Sequence, residues 1–107
     1  RYTAVAGTPE AENAMLRRLH DELTPDAERE TALATALEVW GTGRHLAGRS
    51  PGDEDEGADP EAIRTLLREE LREGVLEVAL LERSPARESR FRLLRAAELE
   101  PLISRFA

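Results

Sequence analysis

Val75-Leu76-Glu77-Val78-Ala79-Leu80-Leu81-Glu82 decides how this chain is read. The run is nearly continuous in apolar residues, as in a strand covered on both faces. A rival pattern passes through it. Leu67, Leu71, Val78 and Leu81 continue a helical stripe and would make one helix from Pro60 to Arg83. That helix would carry Gly74 in its interior, at a cost of about 1 kcal/mol relative to alanine. After the run, Ser84 to Ser89 has turn composition, and Arg90-Phe91-Arg92-Leu93-Leu94 alternates as a strand does. The reading adopted is a hairpin: Val75–Glu82 extended, turning back through Arg90–Leu94.

Upstream, three segments share one helix-start chemistry. Thr8-Pro9-Glu10-Ala11, Thr24-Pro25-Asp26-Ala27 and Asp59-Pro60-Glu61-Ala62 each place a capping side chain before proline. The Thr or Asp oxygen accepts an orphan backbone N–H. Proline at the first helical position loses nothing, because its missing N–H has no partner there. The following acid favours the positive end of the helix dipole. Unequal spacing makes this recurring cap chemistry, not a repeat.

The first helix is predicted from Pro9 to Leu23, with Ala11, Met15, Leu16 and Leu19 as its stripe. The second is predicted from Pro25 to Trp40, with Leu33, Ala36, Leu37 and Trp40 on one face and Gly41 as its stop. The third runs from Pro60 to about Arg72. A last helix, from Ala96 to Arg105, carries Leu99, Leu102, Ile103 and Phe106, with Pro101 awkward inside it. Tyr2 to Ala6 reads as a short strand ending at Gly7. Opening inside a strand leads to the expectation that the chain is part of a larger domain. Residues 42–59 read as a flexible acidic loop within it, rich in Gly, Pro, Ser and acids.

Composition narrows the function classes. The chain has 107 residues, 40% hydrophobic but 4% aromatic, so a core must come from Leu, Val and Ala. It has no cysteine, which excludes a disulfide framework, a thiol nucleophile and thiolate-held zinc. The net charge of −7 repels phosphate backbones, so no nucleic-acid partner is expected. No apolar run approaches the ~20 residues of a membrane span, and a signal-peptide pattern is not found. No membrane role is expected, and the location expected is cytoplasmic. All 15 basic residues are arginine, a usage associated with GC-rich genomes. From Arg83 to Arg105 six arginines meet three glutamates, a pattern that reads as a solvated face.

Gly48-Arg49-Ser50-Pro51-Gly52 matches the pattern of a nucleophile elbow. The elbow needs a strand before it, a helix after it and usually a histidine later in the chain. None of the three is predicted. Asp53-Glu54-Asp55-Glu56-Gly57 is acidic like a calcium loop, but its glycine comes one position early. His20 and His45 lack a second ligand at helical spacing. His20 reads as a dipole partner near a helix end. Glu69 with Glu70, and Glu98 with Glu100, read as charged helix surface and not as acid–base pairs. Thr3 is not at the terminus and so cannot serve as an N-terminal nucleophile. No catalytic residue, cofactor site or metal site is assigned.

The order of these weak signals resembles one family. Tyr2-Thr3-Ala4-Val5-Ala6-Gly7-Thr8 before a helix, and Leu23-Thr24-Pro25-Asp26-Ala27 before an Ala/Leu-rich helix, are similar to the later part of proteasome subunits. The tail carries the closest similarity. Leu76-Glu77-Val78-Ala79-Leu80-Leu81-Glu82-Arg83, then Phe91-Arg92-Leu93-Leu94, then Ala97-Glu98-Leu99-Glu100-Pro101-Leu102-Ile103 resembles the end of proteasome α-type subunits of the bacterial, actinobacterial kind. The region from Thr42 to Gly74 departs from the family by its length.

The resemblance implies an α+β fold: the C-terminal part of a four-layer αββα sandwich of the Ntn-hydrolase, proteasome-like type, with several helices on a small antiparallel sheet. It implies a non-catalytic ring subunit that gates substrate access to a protein-degrading core. The implied partners are neighbouring α-type subunits in a seven-membered ring, β-type subunits and an activating ATPase. Two alternatives stay open. One is a small helical protein–protein interaction module containing the single helix Pro60–Arg83. The other is part of a β-type threonine protease subunit whose nucleophile lies outside this sequence.

Overall fold

The computed structural model describes residues 3–47, 59–81 and 91–107. It is an α+β arrangement of four helices and one two-stranded antiparallel sheet. In chain order these are α1 (Pro9–Glu22), α2 (Arg29–Ala47), α3 (Pro60–Glu73), β1 (Ala79–Leu81), β2 (Phe91–Leu93) and α4 (Ala96–Arg105).

Two of the three proline-led starts act as caps. The Thr8 hydroxyl accepts from the Ala11 N–H at 3.2 Å, and the Asp59 carboxylate from the Glu61 N–H at 3.1 Å. Thr24-Pro25-Asp26-Ala27 does not cap a helix. It closes as a turn, with the Ala27 N–H on the Thr24 carbonyl at 3.1 Å. Proline suits the second position of such a turn as well as it suits a helix start. Helix α2 therefore begins four residues later than predicted, and the Glu28 carbonyl accepts from Ala32 N–H at 2.9 Å.

Helix α2 also runs past its predicted stop. Gly41, Thr42 and Gly43 are buried inside it. A β-carbon at Gly41 would stand 3.0 Å from Ile63 Cγ2 and 3.1 Å from Leu67 Cγ. Its absence lets α3 lie close against α2. That packing outweighs the ~1 kcal/mol a helical glycine costs. Residues 42–47 are thus helix and not loop, while 48–58 lie outside the described residues.

Helix α3 ends at Glu73, so the single helix from Pro60 to Arg83 does not form. The two strands pair antiparallel, with Ala79 opposite Leu93, Leu80 opposite Arg92 and Leu81 opposite Phe91. A bond from Leu94 N–H to the Val78 carbonyl (2.9 Å) extends the ladder by one step. The strand is shorter than Val75–Glu82, and it is not covered on both faces. Leu76, Val78 and Leu80 turn inward onto the core, while Val75, Ala79 and Leu81 are exposed. No strand forms over Thr3–Ala6; Ala4 and Ala6 pack beside α1 instead.

Helix α4 matches its predicted span and accommodates Pro101 on an exposed face. The main core joins Ala34 of α2, Ile63 and Leu67 of α3, Leu94, and Leu99, Leu102 and Phe106 at the C-terminal end. A smaller cluster of Met15, Leu19 and Val39 joins α1 to α2.

Candidate functional site

The sheet gives the molecule a surface that side-chain burial alone would not produce. Strand residues alternate between faces. One face of the β1–β2 pair is set against the core through Leu80, and Arg92 on that side reaches α4. The other face carries Ala79, Leu81, Phe91 and Leu93, arranged in two directly opposed pairs. Leu81 is 74% exposed, Phe91 60% and Leu93 61%; Val75, farther along the same extended segment, is 89% exposed. Beside this apolar patch, a groove of about 660 Å³ runs between α2 and residues 74–79, with Leu33, Leu37 and Trp40 on its α2 side.

A polar clamp fixes how the sheet meets α4. Glu98 accepts from the Arg92 guanidinium at 2.7 Å and from the Arg95 backbone N–H at 2.8 Å. These contacts, the backbone bond first and then the Arg92 hydrogen bond, hold the Glu98 carboxyl below its ordinary pKa. That direction is opposite to the one a general acid needs at neutral pH.

The remaining candidate residues are dispersed. His20 is exposed, with Nδ1 3.3 Å from Asp21 Oδ1. His45 lies in the last turn of α2. Glu70 pairs with Arg44 at 3.7 Å, and Glu69 and Glu100 are exposed. Thr3 is exposed outside any regular element. Among the described residues no group of three or more potential metal ligands occurs, and no helix is long and apolar enough to cross a membrane. The segments Gly48–Gly52 and Asp53–Gly57 lie outside the described residues, as does the turn predicted over Ser84–Ser89.

No protein family, curated protein or solved structure matches the chain.

The alternation that predicts a strand through Phe91 and Leu93 does not by itself reveal that their face stays open. It shows only that Arg90-Phe91-Arg92-Leu93 puts both apolar residues on one side. The Arg92–Glu98 clamp had no local signature, because its partners belong to different elements.

Proposed function

We propose that this chain is the C-terminal part of a non-catalytic, α-type proteasome-like subunit, whose role is to enclose and not to cleave. The observation that carries the reading is the exposed apolar face Ala79, Leu81, Phe91 and Leu93. Helices cover one side of the sheet, and the other side has the composition of an interior. A four-layer sandwich supplies a second sheet about 10 Å away at that position. The resemblance of the tail to α-type subunits supports the same reading. The partners proposed with it are neighbouring α-type subunits, β-type subunits and an activating ATPase, in the cytoplasm. The chain contributes packing area to a ring and no reacting group.

The test uses the complete reading frame that encodes the chain, expressed with a bacterial β-type proteasome subunit. Native mass spectrometry and negative-stain images are expected to show seven-membered rings stacked on β rings. Dispersed monomers that do not co-purify with the β-type subunit would overturn the proposal.

A second reading is favoured by the main core. Ile63, Leu67, Leu94, Leu99, Leu102 and Phe106 are all buried within the chain itself. That fits a small interaction module able to fold alone, without the single helix Pro60–Arg83 first expected of it. It predicts no ring and a single cooperative melt of the 107-residue chain.

A further inference from the structure

We infer that the free edge of β1, with the groove beside it, takes up an extended peptide of alternating apolar and basic residues as a third strand. The inference does not rest on the ring reading, and its test involves no other subunit.

The Leu94 N–H bonds to the Val78 carbonyl, so Val78 and, by the alternation of an antiparallel pair, Leu80 aim their backbone groups at β2. Ala79, between them, aims its N–H and C=O the other way, where no strand lies among the described residues. Just before it, Val75, Leu76 and Glu77 make no hydrogen bond with another described residue. An open row of backbone donors and acceptors is a template for a further strand. The groove follows this edge. Its wall takes in every residue from Gly74 to Ala79 in sequence. A hollow over one face of a strand meets alternate residues, whereas one along the edge meets them all. Leu33, Leu37 and Trp40 of α2 form the opposite wall, where Trp40 is 43% exposed.

These walls specify the occupant. The edge calls for extended backbone, and its six residues span about 20 Å at ~3.3 Å each, the length of a hexapeptide strand. Alternate side chains of that strand fall on Leu33, Leu37 and Trp40, which selects apolar groups. The others stand on the outer face beside Glu77. Charge decides their sign. The charged residues lining the groove are Glu70 and Glu77, with no base among the described residues. Glu70 has Arg44 at 3.7 Å, while Glu77 has no ion pair with a described residue. The net charge of −7 acts in the same direction. An arginine or lysine beside Glu77 makes a favourable cross-strand pair, and an acid there is repelled. Backbone bonds then supply affinity, and the alternation of apolar and basic side chains supplies selectivity.

Fluorescence anisotropy provides the test, with a labelled, end-blocked hexapeptide alternating valine and arginine titrated with the intact 107-residue chain. A dissociation constant on the order of 100 μM is expected. Replacing the peptide's amide N–H groups by N-methyl groups removes the donors of a third strand and should weaken binding at least about tenfold. A hexapeptide alternating valine and glutamate should lose about as much. Both comparisons leave the protein untouched, so folding does not enter them. On the protein side, Trp40→Ala should weaken binding about fivefold and Glu77→Arg about threefold, with the helical circular dichroism unchanged. No binding at ~1 mM chain, an N-methylated or glutamate peptide that binds as tightly as the original, or a Trp40→Ala chain that binds undiminished would each overturn the inference.

Discussion

The two hydrophobic clusters that flank α2 are built differently. On one side α2 meets α3, α4 and the inward-facing residues of the sheet, and buried side chains from several elements converge. On the other side it meets α1, through Met15 and Leu19 against Val39, with Ala4, Ala6 and Leu23 packed beside them. The second contact is completed by polar groups. Arg18 reaches Glu38 at 2.7 Å, Thr42 at 3.0 Å and Glu22 of its own helix at 3.1 Å. The main core thus rests on convergence, where each residue has several buried neighbours. The α1 contact rests on one layer of side chains and one arginine. Stability is expected to be uneven in the same sense, with α1 exchanging its amide protons before α2, α3 and α4 do.

The largest blow to this contrast falls in the main core. Leu67, 1% exposed, packs against the surface opened by Gly41. Leu67→Ala should cost about 3 kcal/mol of global stability in denaturant melts and speed exchange in every element. Met15→Ala should cost about 2 kcal/mol, with the excess exchange concentrated in α1. Equal exchange in α1 and α3 for both variants would erase the distinction between the clusters. Arg18→Ala should cost about 1 kcal/mol, because its pairs are partly solvated, and should also act on α1.

The smallest effect is a pH dependence confined to the sheet side. The Glu98 carboxyl has a lowered pKa in the folded state. Its contribution is therefore present above the unfolded-state value and is lost as pH falls through the folded-state value. Glu98→Gln should lower the neutral plateau slightly and flatten part of the acid limb, so that the two stability curves converge at low pH. A variant whose acid limb overlays that of the original chain would remove Glu98 from the account.

Cap chemistry made much of this fold legible. Thr8-Pro9 and Asp59-Pro60 start helices where their residues say they should. Thr24-Pro25 misled because the same residues also close a turn, and local sequence does not distinguish the two uses. Gly41 misled for another reason. A glycine after a helical stripe signals an end, yet here it marks close approach by Ile63 and Leu67, which are more than twenty positions away in the chain. The strand pairing was readable from Phe91 and Leu93 alternating with arginine. The open outer face was not, because a nearly continuous apolar run such as Val75 to Leu81 looks much the same whether one face or both are covered. The Arg92–Glu98 clamp depends on distance in space alone.

Because α2 takes part in both clusters, it also bears on the order of assembly. Docking α1 on α2 needs only the short turn between Glu22 and Arg29 to close, whereas bringing α4 back to α2 closes everything between Ala47 and Ala96. Closure entropy rises with that separation, so the less stable helical pair is the one that can be sampled earliest during folding. The weakest contact of the finished molecule would then serve as its first foothold.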